Sequence, residues 1–238
     1  MDPRAAELIQ HDLQAVEAER HARDRDPLLA SRVLALKRYQ QARFRHSYAD
    51  LLATPRYAAA AGFFLEELYG PADFRSRDAQ FARIVPALVR LFPAEVVDTV
   101  RQLAALHALS ERLDTQLARA LAVPAIDALA YAQAWRQCGD APGRQAQIDL
   151  TVAVGTALDA LTRKPLLRQS LRMMRGPAQL AGLADLQHFL ECGFDTFKAM
   201  RGAAEFLSTV RVREEALVQA LFDPASTAAT APPLGQLP

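Results

Sequence analysis

Apolar residues recur along this chain at three- and four-residue intervals, and no segment alternates in the two-residue rhythm of a half-buried strand. From Pro27 to about Ala53 the stripe reads Leu29, Val33, Leu36, Gln40, Phe44, Ser47 and Leu51, which is one face of a helix. The segment from Pro93 to Ala122 carries Leu103, Leu106, Leu113, Leu117 and Leu121 in the same spacing. Further helices are predicted over 3–20, 55–69, 77–92 with a kink or break at Pro86, 124–139, 144–162, 165–175 and 177–220, the last bent or divided at Gly202. The punctuation agrees. Asp2-Pro3, Asp26-Pro27 and Thr54-Pro55 each set a capping residue before a proline, the order of an N-cap and first helical position. Gly70-Pro71 and Gly176-Pro177 read as helix ends, and His21 to Pro27 as a break after the first helix. Residues 72–76 read as a loop, and Gly139 to Gly143 as the clearest turn.

The expectation is therefore an all-α protein, a multi-helix bundle of about eight to ten helices with no sheet. One helical domain should cover residues 1–222, with a subdivision near 139–143 as the alternative. Residues 223–238 are small, polar and proline-rich, and their composition predicts a disordered tail.

Charge narrows the picture little. The chain has 238 residues and a formal net charge of +1, so no global field draws in nucleic acid or an acidic membrane. The two cysteines, Cys138 and Cys192, are too few for a disulfide framework or a zinc site. The charged N-terminus is unlike a signal peptide, and no apolar run has the length of a membrane span. A cytoplasmic location is the expectation.

Four constellations carry candidate chemistry. On the Pro93 helix, His107, Ser110 and Asp114 interrupt or flank the apolar stripe, with Glu111 just further round. Polar groups on a buried face need partners, so they form either a ligand or metal pocket or an interior hydrogen-bond network, the commoner arrangement. On the segment Leu186 to Phe197, His188, Glu191 and Asp195 share one face at i, i+3, i+7, opposite the apolar residues. Di-iron bundles use Glu-x-x-His pairs; here the order is reversed and occurs once, so a metal would need both sets of residues to converge. Lys37 to Tyr48 interleaves basic and aromatic residues, yet its arginines divide between helix faces, which speaks against nucleic acid. Arg168, Arg172 and Arg175 align at i, i+4, i+7 in a stretch without acids. This row offers an anion or partner face, or packs against the chain's own acidic first helix. Motifs for covalent haem, for phosphate or dinucleotide binding, for zinc proteases and for serine hydrolases are absent.

The block Gly62-Phe63-Phe64-Leu65-Glu66-Glu67-Leu68-Tyr69-Gly70-Pro71, followed by Asp73, Phe74, Arg77 and Asp78, resembles an uncharacterised family of bacterial all-helical proteins. The resemblance implies a shared architecture and a bacterial source. It implies no activity and carries over no catalytic residue. Glu66 and Glu67 of this block are predicted to border a groove that joins the arginine row as a partner face. The leading expectation is a non-enzymatic scaffold or regulator acting through protein contacts, with self-association into a homodimer plausible. The rival is a bundle holding a small molecule, haem or a divalent metal through His107, Glu111, Asp114, His188, Glu191 and Asp195.

Overall fold

A computed structural model describes residues 4–68, 71–121, 125–227 and 230–238. Eleven α-helices and no strand occur among the described residues, an all-α multi-helix bundle. In chain order the helices are α1 (Ala5–Asp24), α2 (Pro27–Ser47), α3 (Ala49–Ala53), α4 (Ala58–Phe63), α5 (Arg75–Leu91), α6 (Ala94–Ala120), α7 (Ala128–Cys138), α8 (Ala141–Thr162), α9 (Pro165–Leu180), α10 (Ala184–Ala199) and α11 (Ala204–Phe222). A π-helical turn, Phe64–Leu68, extends α4, and a short 3-10 turn, Pro232–Gln236, follows α11. None of these helices is long and apolar enough to cross a membrane.

The long α6 runs through the middle and packs on α1, α2, α7 and α8, while α11 lies along α8. Every member of the predicted 27–53 stripe is buried, Gln40 and Ser47 included, but that helix divides at Tyr48 and Leu51 stands on α3. Three apolar clusters result. One joins α2, α6, α7, α8 and α11; a second joins α2, α4, α10 and α11; a third joins α1, α5 and α6. At Gly155 a side chain would meet the Leu207 methyls at 2.5 Å, so glycine there lets α8 and α11 touch closely.

Several predicted boundaries move, each for a local reason. The first helix does not stop at Arg20 but runs to Asp24, because Arg20 and Arg23 turn inward and are buried. Asp26 caps α2 as expected, accepting from the Leu29 N–H at 3.0 Å. Thr54-Pro55 opens a turn rather than a helix, and α4 begins at Ala58. Gly139 takes the left-handed conformation that ends α7, but the turn is only two residues long. The Asp140 side chain accepts from the Gly143 N–H at 2.9 Å and caps α8 at once. Asp127 caps α7 in the same way, so that helix opens at Ala128. Gly176-Pro177 does not close a helix; α9 continues through both residues to Leu180. The predicted 177–220 helix divides into α9, α10 and α11 at Gly182 and at Arg201–Gly202, where φ is positive. The Asp2-Pro3, Gly70 and Pro124 signals lie outside the described residues.

Composition predicted disorder after residue 223, yet residues 230–238 lie against the bundle. Leu234 and Leu237 are buried in the α2–α11 cluster, and the Tyr39 hydroxyl donates to the Pro238 carbonyl at 3.4 Å. Two leucines three residues apart, one 3-10 turn, anchor a short segment that lacks bulk elsewhere.

Candidate functional site

Charged side chains from α1, α2, α5 and α6 meet inside the molecule. The placement follows from helical periodicity. On α1 the buried positions Ile9, Leu13 and Val16 continue at the same spacing as Arg20 and Arg23. Both guanidinium groups therefore face α6 rather than solvent. Arg23 donates to the Glu111 carboxylate, to the Glu111 backbone carbonyl at 2.7 Å and to Thr115 Oγ1 at 2.7 Å. Lys37 Nζ, from α2, reaches the other oxygen of Glu111 at 2.8 Å. Glu111 is 4% exposed. Burial alone would raise its pKa, but the charges of Lys37 and Arg23 outweigh burial and hold it at about 2.

A second group lies one turn away. Arg20 Nη2 donates to Asp78 Oδ2 at 2.6 Å, and His107 Nε2 lies 2.9 Å from the same oxygen. An ionised carboxylate can only accept, so Nε2 carries the proton in that bond. Burial pushes the Asp78 carboxyl up; the His107 bond and charge, with those of Arg20, pull it down to about 2. Arg77 extends the chain. Its guanidinium sits 4.1 Å from the Phe74 ring centroid and 4.4 Å from that of Phe189, donates to the Glu67 carbonyl at 3.2 Å, and lies 3.5 Å from Asp78. Burial lowers its pKa, which the Asp78 and Glu67 carboxylates only partly oppose.

Asp114 completes the α6 set. It is buried, accepts from Gln40 Nε2 at 3.1 Å, and has its pKa raised by burial. Ser110 accepts from Gln147 Nε2 at 2.8 Å, on the α8 side. His107, Glu111 and Asp114 thus belong to one polar interior, though each has different partners.

The α10 candidates His188, Glu191 and Asp195 take no part in it. His188 is exposed, with its Nε2 3.4 Å from Cys192 Sγ on the same helix. Glu191 accepts from Arg175 Nε at 2.7 Å and Nη2 at 2.6 Å, and Asp195 pairs with Arg168. The arginine row of α9 and the acidic face of α10 are therefore each other's partners, where the sequence offered the acidic first helix. Arg172 is exposed. His107 and His188 bond to different neighbours, and no group of three or more His, Cys, Asp or Glu among the described residues is placed to hold a metal ion. Glu66 is exposed on the π-helical turn, and Glu67 is turned toward Arg77. In Lys37 to Tyr48 the basic charge is divided: Lys37 pairs with Glu111 and buried Arg43 with Glu214, which also accepts from Tyr48, while Arg38 and Arg45 are exposed.

Arg20, Arg23, Arg77 and Asp78 were not among the candidates for chemistry, and Lys37 and Gln40 stood among them only in the basic and aromatic stretch weighed for nucleic acid. A signal existed for Arg20 and Arg23, since both stand on the continuation of the α1 apolar stripe. Asp78 and Arg77 carried no such mark, because only the approach of α5 to α1 and α6 gives them partners. Two cavities, each about 10 Å³, lie elsewhere, one beside Trp135 and Arg144 and one between Arg172 and Phe194. Each has room for about one water.

A helical bundle knitted by interior ion pairs is the class of protein that fold and site define. The chain belongs to the family described as Domain of unknown function (DUF8198), whose profile matches residues 19–228. The FFLEELYGP block and every residue of the interior charge network lie within that span. No curated protein and no solved structure matches the chain.

Proposed function

We propose that this protein is a non-enzymatic helical scaffold or regulator that works through protein–protein contacts, and that α9 presents the contact face. One observation carries the reading. Leu166, Met173 and Leu180 are 73%, 72% and 93% exposed and stand at i, i+7 and i+14 on one side of α9. Met174, also exposed, widens the patch. Apolar surface gathered in a row marks an interaction site far more often than scattered single residues do. The charged side chains that suggested chemistry support the same reading, since they are engaged within the chain: Glu111 by Arg23 and Lys37, Asp78 by Arg20 and His107, Glu191 by Arg175.

The rival reading, an interhelical pocket for a small molecule, haem or divalent metal, draws support only from the His107–Asp78 pair. Elemental analysis and an absorption spectrum of the purified protein address it directly. The contact reading is tested with a photo-crosslinking side chain introduced at Met173, compared with the same group at exposed His11. Protein adducts at 173 and none at 11 are expected. Equal labelling at both positions, or no adduct at either, would refute it.

A further inference from the structure

Four arginines are buried among the described residues, and three of them have a carboxylate. Arg20 pairs with Asp78, Arg23 with Glu111 and Arg43 with Glu214. The fourth, Arg144, is 6% exposed and forms no ion pair among the described residues. Its guanidinium donates to Gln147 Oε1, a neutral amide, at 3.1 Å and lies 4.2 Å from the Trp135 ring centroid. An isolated buried charge is costly, and proteins pair nearly every one.

Arg144 borders the cavity of about 10 Å³ that lies between α6, α7, α8 and the end of α11. Two more wall residues carry polar atoms without partners. Gln116 Oε1 is buried and accepts no hydrogen bond. The Trp135 Nε1–H approaches the Tyr131 hydroxyl but makes no hydrogen bond of good geometry. Turning the Gln116 amide by half a turn puts its N–H groups where the oxygen stands. Arg144, Trp135 and Gln116 then present donors alone.

The chain supplies no counter-charge of its own. Burial pushes the Cys138 thiol up, so it stays neutral on the cavity wall. Asp140, also on the wall, is already held by the Gly143 N–H at 2.9 Å and by Arg112 at 3.2 Å. Asp114 feels the charge of Arg144 from beyond ion-pair distance, but it accepts from Gln40 and burial raises its pKa. With Arg112 balancing Asp140, the net charge at the cavity is that of Arg144.

We infer that this cavity binds one monatomic anion, chloride, as the counter-ion of Arg144. The inference goes beyond the contact reading of α9 and does not rest on it. Charge sets the sign of the guest, and size sets its class. Room for a single water-sized guest admits a halide and excludes carboxylate, sulfate and phosphate groups, each with several heavy atoms. A water would satisfy Trp135 and Gln116 but leave the guanidinium uncompensated. The ion touches four helices at once, a site that the unfolded chain lacks, so its binding stabilises the fold.

Trp135 is the only tryptophan, so its fluorescence reports on the site. Bromide, a heavy-atom quencher with the charge and shape of chloride, is the probe. Quenching of the full chain should saturate with bromide and be reversed by chloride. Urea unfolding is then followed in sodium chloride and in sodium gluconate of equal ionic strength. Chloride at ten times its dissociation constant should raise the folding equilibrium constant about elevenfold over gluconate.

Two variants locate the effect. Arg144→Met should abolish both the saturable quenching and the chloride effect, because it removes the charge that needs a counter-ion. Gln116→Glu places a carboxylate at the cavity. It should abolish both signals too, while its stability in gluconate rises toward that of the parent in chloride. If Arg144→Met does not fold, Gln116→Glu decides. Equal unfolding of the parent in chloride and gluconate overturns the inference, as does quenching that grows linearly with bromide and never saturates. A chloride effect that survives in either variant puts the ion elsewhere and overturns it too.

Discussion

Changing Glu111 to Gln puts the interior charge network to its sharpest test. The carboxylate is buried and holds two cations, Arg23 and Lys37, from two different helices. The amide keeps the volume and one acceptor oxygen but removes the charge. Two routes give its size. Holding the carboxyl at about 2 against an ordinary 4.5 corresponds to about 3 kcal/mol of folding stability. Removing one partner of a buried ion pair generally costs about 3–5 kcal/mol. Arg23 keeps its bonds to the Glu111 carbonyl and Thr115, which places the expected loss near the lower figure. The sign of the pH dependence follows. A carboxyl depressed on folding stabilises fully above its unfolded pKa and loses that contribution as pH falls toward the folded value. Urea unfolding of parent and Glu111→Gln should therefore differ by about 3 kcal/mol at pH 7. The gap should close between about pH 5 and pH 2, because the parent loses what the variant never had. A difference below about 1 kcal/mol, the worth of an exposed pair, or one that ignores pH, would refute the reasoning.

Asp114→Asn should act in the opposite direction. Burial raises this carboxyl, so its ionisation opposes folding as pH rises. The amide should stabilise the protein at neutral pH, with a gain that fades on acidification, as thermal melts at two pH values would show. The segment 230–238 makes a third case. Leu234→Ala and Leu237→Ala should each cost about 2 kcal/mol, the low end for buried leucine, because a peripheral site can collapse. Urea midpoints identical to the parent would mean that the segment does not contribute to the fold.

Much of the architecture was legible because its causes are local. Helical spacing placed the buried face of α2 from Leu29 to Ser47 residue by residue, and Asp26 caps the helix it was read to cap. The same spacing on α6 drew attention to His107, Glu111 and Asp114, and the interior network was one of the two outcomes weighed for them. Boundaries misread at Gly176-Pro177 and Arg20 share one origin. Glycine, proline and charge are end signals when a helix stands alone, but packing overrides them when the helix has a wall to lie against, as α9 has in α10 and α1 has in α6.

The pattern of apolar and polar positions by itself determined that this chain is all-α, which face of α2 and α6 turns inward, that Asp26 caps α2 and that Gly139 ends α7. Those features depend on groups three or four residues apart, and such neighbours are visible in a string of letters. Only the tertiary structure decided which charges meet. Arg23 finds Glu111 across 88 residues, Arg20 finds Asp78 across 58, and Arg175 takes Glu191 from the constellation once weighed as a metal site. An ion pair is set by the distance between two helices, and that distance is a result of packing the whole bundle.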